Sequence, residues 1–320
     1  MVREMCKMQV IRPKYILFLF LLLLLSSCAA TRQPDKRAYR LYQTSRFAYI
    51  SRSYKSALKT LNKAIEIKPD FDSAYNFRAF VKMALLDQDG AIKDFSQAIR
   101  INPNYTAAYF NRGTLHLQMG EVDRSLVDLD KTLALNPKDN DALNNKAIIL
   151  TAIQKPEAAK VIYDTLISRK PKIERYYFNR SFAKRKMQDL EGALQDLNKS
   201  LDLNPYNYEA YYNRGMVLQQ LKEDKAALAS FETARRMYPK AFYGFVELGR
   251  IYANLGQSRK AIAIFNQAIR RNQNNAEAYY LRANERVKQK KLSAAITDLK
   301  VAKILGYTAA QDQLEQLESL

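Results

Sequence analysis

From Ala38 onward, apolar and small positions recur along the chain with a period of thirty-four. The clearest markers are Pro69, Pro103, Pro137, Pro171, Pro205 and Pro239, which are evenly spaced by that period. In the same register small residues stand at Ala57, Ala91, Ser125, Ala159, Ala193, Ala227, Ala261 and Ala295. Large side chains follow four residues later, at Leu61, Phe95, Leu129, Tyr163, Leu197, Phe231, Phe265 and Leu299. Three residues further come Ala64, Ala98, Thr132, Leu166, Ser200, Ala234, Ala268 and Ala302. Steps of four and three place all three sets on one face of an α-helix. The small residues let a neighbouring helix approach, and the large one between them fills the gap. The proline ends that helix, because it lacks an amide hydrogen and clashes with the preceding turn.

A second helix precedes the first in every unit. It opens with Leu41, Tyr75, Tyr109, Leu143, Tyr177, Tyr211, Phe245 or Tyr279, and four residues on sits Ser45, Ala79, Gly113, Ala147, Ser181, Gly215, Gly249 or Ala283. A large side chain four residues before a small one is a helix-packing pair. The chain therefore reads as all-α, with eight helix–turn–helix units at 38–71, 72–105, 106–139, 140–173, 174–207, 208–241, 242–275 and 276–309. One unit cannot bury its own apolar side, so the units must stack into a solenoid. Residues 310–320 continue as an amphipathic helix that caps the last unit.

The stretches YFNRGTLHLQMGEVDRSLVDLDKTLALNP (Tyr109–Pro137) and YYNRGMVLQQLKEDKAALASFETARRMYP (Tyr211–Pro239) resemble the tetratricopeptide repeat. The resemblance covers 38–320. It departs from the pattern in unit 1, which lacks an opening aromatic, and in units 7 and 8, where Gln273 and Tyr307 replace the proline. It implies a right-handed superhelix whose concave face, lined by the first helices, holds a protein or peptide partner. Projected from the register, the lining includes Phe110, Phe178, Tyr212 and Tyr280 at the fifth unit position, with Asn76, Asn144 and Val246. The sixth position holds Asn111, Asn145, Asn179 and Asn213 in successive units. An asparagine ladder there offers hydrogen bonds to an extended peptide; the alternative is that these asparagines bond the adjacent helix. The aromatic row also admits a second reading, a glycan-binding protein that stacks sugar rings. Arg185 and Lys186 fall at groove-facing positions in a basic stretch of unit 5 and would suit an acidic segment.

One polar pattern reads as structural. Arg78, Arg112, Arg180 and Arg282 occupy position seven, and Asp94, Asp128, Asp196 and Asp298 position twenty-three of the same units. This spacing predicts a salt bridge between the two helices of a unit; unit 6 keeps Arg214 but has Ser230.

The N-terminus follows a different logic. Arg3, Lys7, Arg12 and Lys14 precede an unbroken apolar run, Tyr15 to Leu25. Eleven residues are too few to span a bilayer, which takes roughly 20. The charge, length and order are those of a secretory signal. Leu25-Ser26-Ser27-Cys28 then resembles the lipobox of bacterial lipoproteins. The resemblance implies a signal peptide of residues 1–27, acylation of Cys28, and a tether from 28 to 37. By the same resemblance Ala29, where an aspartate favours inner-membrane retention in enteric bacteria, favours the outer membrane; the solenoid is expected to face the periplasm.

Composition narrows the chemistry. Net charge is +20; residues 1–27 carry +3 of it, so the mature chain keeps +17, spread along its length. Such a balance suits solvated helix surfaces or acidic partners, and export argues against nucleic acid. Both cysteines, Cys6 and Cys28, precede the repeats and His116 is the only histidine, which leaves a structural zinc site without ligands. Neither a Ser–His–Asp nor a Cys–His set, nor a glycine-rich phosphate loop, can be assembled. The expectation is a scaffold, with no cofactor and no catalysis; His116 reads as a satisfied, partly buried side chain.

Overall fold

The computed structural model describes residues 36–239 and 243–318. Cys28 and the signal segment lie outside the described residues, as do 240–242 and 319–320. Among the described residues there are seventeen helices and no strand. They alternate as first and second helices: α1 Lys36–Ile50 and α2 Tyr54–Ile67; α3 Asp72–Ala84 and α4 Gln88–Ile101; α5 Thr106–Gln118 and α6 Val122–Leu135; α7 Asn140–Ala152 and α8 Pro156–Arg169; α9 Glu174–Lys186 and α10 Leu190–Leu203; α11 Tyr208–Gln220 and α12 Asp224–Met237; α13 Phe245–Asn254 and α14 Ser258–Arg271; α15 Ala276–Lys288 and α16 Leu292–Ile304; and a final α17 Ala309–Glu318. The chain forms two compact units, divided between Pro171 and Lys172.

The turn inside each helix pair has one recurrent geometry. Arg52, Leu86, Gly120, Gln154, Gln188, Lys222, Gly256 and Lys290, one per repeat in a single register, all have φ between 58° and 79°. This left-handed residue lets the next amide reach back to a carbonyl of the first helix, as in Asp87 N to Lys82 O at 2.9 Å and Glu121 N to His116 O at 2.9 Å. Second helices then start on side-chain caps where the sequence supplies them: Asp87 accepts from Gly90 N, and Asp189 from Gly192 N. At the far end the asparagine before the proline makes its own turn, Asn102 Oδ1 accepting from Asn104 N at 3.1 Å.

The core is the triplet of small, large and small residues. Ala57, Leu61 and Ala64 are fully buried, and so are Ala91, Phe95 and Ala98 one repeat later. Ser125 joins the core by donating to the Gly113 carbonyl at 2.7 Å. Among the aromatics that open the first helices, Tyr75, Tyr109 and Tyr211 are only half-buried, while Tyr177 and Phe245 are buried. Two element boundaries differ from the sequence expectation, at the tether and at the terminal helix. Lys36 and Arg37, assigned to the tether, are the first residues of α1. Helix α13 begins at Phe245, the opening residue expected from the register, whereas the other first helices start earlier in their units. The terminal helix begins at Ala309 and seats Ala310 and Leu314 against the last pair.

Candidate functional site

The first-helix face of the unit ending at Pro171 carries a cavity of about 510 Å³. Its lining comes from three successive first helices, one turn and the start of a second helix: Tyr49 from α1, Phe80, Met83 and Ala84 from α3, Leu86 at the turn, Gln88 at the start of α4, and Leu115 and Gln118 from α5. The rings at its floor are fixed by packing: Phe80 lies edge-on to Phe95 at 5.7 Å, and Tyr49 edge-on to Phe77 at 5.4 Å. Leu86 is 88% exposed at the rim, held out by its left-handed turn conformation. The arrangement is an open apolar recess with a flexible methionine in its wall, which suits an apolar side chain of irregular shape.

The asparagines do something else. Asn111 and Asn213 are nearly buried, and Asn145 and Asn179 wholly so. Asn111 Nδ2 donates to Asn76 Oδ1 at 3.1 Å, from α5 to α3. Asn145 Nδ2 donates to Thr114 Oγ1 at 3.2 Å, from α7 to α5. Asn213 Nδ2 turns back on the Glu209 carbonyl at 2.7 Å. The expected peptide-binding ladder is therefore corrected for Asn111 and Asn145: their amides join neighbouring first helices. Asn179, buried as completely, presents no surface to a ligand, and Asn213 presents little.

Models described as "TPR repeat" match residues 87–120 and 183–222, and models described as "Tetratricopeptide repeat" match 110–171, 208–240 and 225–285, together more than half of the chain. The chain belongs to the tetratricopeptide-repeat family. No curated protein matches it. Among solved structures, a tetratricopeptide repeat protein from Parabacteroides merdae superposes with a TM-score of 0.53 at 16% identity, over 89% of this chain and 100% of that one. PilF of Pseudomonas aeruginosa gives 0.58 at 20% identity, over 65% and 97%. PilW, described as a widely conserved type IV pilus biogenesis factor, gives 0.58 at 18%, over 65% and 96%. At these identities the likeness is one of fold.

Within these tetratricopeptide repeats the fifth-position aromatics are also drawn inward. Phe178 is fully buried and meets Phe182 edge-on at 5.2 Å. Tyr212 is 7% exposed, between Phe231 at 5.7 Å and Tyr243 at 4.6 Å, and burial together with the nearby Glu247 pushes its hydroxyl pKa up. Phe110 is half-buried against the cluster around Leu117 and Leu129. Tyr280 lies half-buried beside Tyr307 at 4.6 Å. Phe178 and Tyr212 are thus corrected from groove lining to packing; Phe110 and Tyr280 keep part of their surface.

Arg185 and Lys186 sit at the C-terminal end of α9, Arg185 half-buried with its guanidinium 5.7 Å over the Phe182 ring and Lys186 exposed. Their neighbour Lys184 is not part of a basic surface. It is buried, 3.0 Å from Asp196, and donates to the Gly192 carbonyl at 3.2 Å. His116 is 5% exposed with Nδ1 2.5 Å from Glu121 Oε2, a partnered side chain between helix α5 and the turn that follows it.

The cavity residues Tyr49, Phe80 and Met83 were not among the expected groove residues, which came from unit positions five and six. The signal lay one helical turn further on: position nine holds Phe80 where the flanking units have Arg46 and Thr114, and position twelve holds Tyr49 and Met83 in successive units.

Proposed function

We propose that this chain is a lipid-anchored envelope scaffold that holds a polypeptide partner by an apolar side chain seated among α1, α3 and α5. The observation that carries the reading is the recess itself: Tyr49, Phe80, Met83 and Leu115 form its wall, and Leu86 stands exposed at its edge. An apolar side chain entering the recess would cover the exposed Leu86 as well, taking further apolar surface out of water. The family is a platform of stacked helices with no chemistry of its own built in, and PilW is described as a pilus biogenesis factor. A role in envelope assembly or maintenance agrees with that neighbour and with the signal and Cys28 in the sequence. By resemblance to enteric lipoproteins, Ala29 supports the outer membrane as the site of this anchor, and the reading places the repeats on its periplasmic side. Acylation at Cys28 places several acyl chains at one point, and each buried methylene adds ~0.8 kcal/mol of anchoring.

The glycan reading loses its footing at the fifth position, since buried rings such as Phe178 cannot stack on a sugar.

A photo-reactive amino acid at Leu86 in the full-length protein, expressed in its own envelope, tests the scaffold reading. A discrete polypeptide adduct is expected, and Met83→Arg, which places a charge in the recess, should abolish that adduct while the thermal transition is kept. An adduct that persists unchanged in the Met83→Arg protein would remove the recess from the account. Labelling with radioactive palmitate tests the anchor separately, with loss of label expected in Cys28→Ser.

A further inference from the structure

We propose that the outward face of the first helix, α1, lies on the surface of an anionic phospholipid bilayer, so that the protein is held against the membrane by two contacts rather than by its lipid alone. The proposal rests on the Cys28 anchor put forward above and adds an orientation to it.

The face is defined by exposure. Ala38 and Ser45 are buried and set the side of α1 that packs inward. The opposite side presents Lys36, Arg40, Thr44 and Phe47, with Tyr39 and Ile50 flanking. Phe47 is 72% exposed, Ile50 59% and Tyr39 45%. Helical spacing puts these residues on one strip: at 100° per residue, Lys36, Arg40 and Phe47 fall within roughly 40° of one another. No helix precedes α1 among the described residues, so no neighbouring repeat covers this strip.

Its chemistry selects the occupant. All four charged side chains of α1, Lys36, Arg37, Arg40 and Arg46, are cationic. An acidic protein groove would suit the charge, but three facts favour a bilayer. The apolar side chains are few, large and separated by cations, which matches shallow insertion at the headgroup level rather than burial in a packed core. Tyrosine and phenylalanine mixed with Lys and Arg are the side chains that settle at a membrane interface. The third fact is reach. Cys28 precedes Lys36 by eight residues, and eight residues can extend no further than about 28 Å. A lipid at Cys28 therefore confines the start of α1 to the neighbourhood of the bilayer. Anionic headgroups then meet a cationic strip at a high effective concentration. The opposite end of the chain shows the contrast: α17 exposes Asp312, Glu315 and Glu318 and carries no cation.

The test uses the mature, lipidated protein carrying Thr44→Cys. With Cys6 removed in the signal peptide and Cys28 acylated, this is the one free thiol. A spin label there is read for accessibility to a water-soluble nickel reagent, after flotation with vesicles of phosphatidylglycerol and phosphatidylethanolamine or of phosphatidylcholine alone. A Val161→Cys label on α8, 64% exposed in the wild-type chain and in the same compact unit as α1, serves as the control. The expected result is a severalfold loss of nickel accessibility at position 44 on the anionic vesicles only. High salt should reverse it, because the Debye length falls to about 3 Å at 1 M, and so should Arg40→Glu with Phe47→Glu. The control label should stay accessible throughout. A label at 44 that remains in water on anionic vesicles overturns the docking. A label shielded equally on both kinds of vesicle, or in the double variant, also overturns it and points to protein on this face. Failure of the protein to float is a different failure, that of the anchor itself, and takes the proposal with it.

Discussion

Arg112 grips both carboxylate oxygens of Asp128, Nε at 2.8 Å and Nη2 at 2.7 Å, and its remaining nitrogen reaches Ser96 Oγ at 2.8 Å in the preceding repeat. One side chain thus ties its own second helix and the previous one. The same geometry recurs at Arg78, with Asp94 and Asn62, and at Arg282, with Asp298 and Asn266. A lysine or arginine one turn on adds a third contact: Lys82 lies 2.8 Å from Asp94, and Arg286 2.7 Å from Asp298.

Burial decides what these clusters contribute. The Asp128 side chain is 3% exposed and that of Arg112 is 21% exposed. An exposed pair would contribute ~0–1 kcal/mol, but removing the cation here strands a desolvated carboxylate. Arg112→Met should therefore cost roughly 3–5 kcal/mol. In unit 6 Arg214 meets Ser230 Oγ at 3.1 Å, a neutral partner, and Arg214→Met should cost about 1 kcal/mol. Urea denaturation of both variants checks the order, and Arg112→Met combined with Asp128→Leu should recover much of the loss. Equal destabilisation by the two arginine variants would show that the carboxylate is not the cause.

Tyr163 offers a change in the opposite direction. It takes the large core position of α8, is fully buried, and its hydroxyl has no hydrogen-bond partner. The other repeats place Leu or Phe there, so the phenolic oxygen is a desolvated group with no return. Burial pushes its pKa well up, in keeping with that setting. Tyr163→Phe should raise stability by roughly 1 kcal/mol, visible as a higher melting temperature; a lower one would mean that the hydroxyl is satisfied.

The repeat fold was legible because its period is written several times over. Ala57, Leu61 and Ala64 report one buried face, and the same face returns in every repeat down to Ala295, Leu299 and Ala302. The Arg–Asp pairs were legible for the same reason, since a spacing of sixteen recurs in four units. The surface was not. Asn145 and Phe178 stand at expected groove positions, yet both are fully buried. Their direction depends on packing between neighbouring first helices, such as the Asn145 bond to Thr114, which the register alone does not encode. Leu86 carried no sequence signal of exposure either; its place at the rim follows from a turn conformation that six non-glycine residues share.

That turn and the helix crossings make different demands on glycine, and two positions separate them. Gly256 has φ +71° and nothing near the site of an added Cβ. Gly249 is helical, and an added Cβ would meet the Phe265 ring. Gly256→Ala should cost ~1 kcal/mol, all of it backbone strain. Gly249→Ala forces the fully buried Phe265 to shift and should cost ~1–3 kcal/mol as overpacking. Adding Phe265→Leu should rescue Gly249→Ala in part and leave Gly256→Ala untouched, as thermal melts of the four variants would reveal. A rescue of both would mean that the two positions are coupled through the pair α13 and α14.

His116 and Glu121 supply a pH dependence whose direction can be worked out. The hydrogen bond from His116 is the largest influence on the Glu121 carboxyl and holds its pKa below the ordinary glutamate value, with Arg124 adding in the same sense. The folded chain therefore releases this proton more readily than the unfolded chain does. The bond's contribution to stability is fully present above the ordinary glutamate range and is lost as pH falls through the lowered folded value. Following the Glu121 carboxyl carbon by NMR should give a midpoint below the ordinary glutamate value. In His116→Phe the midpoint should rise toward the ordinary value, stopping short of it where Arg124, 3.3 Å away, still acts. A midpoint indifferent to the loss of the imidazole would show that the lowering comes from charge alone and that the 2.5 Å contact is not made in solution.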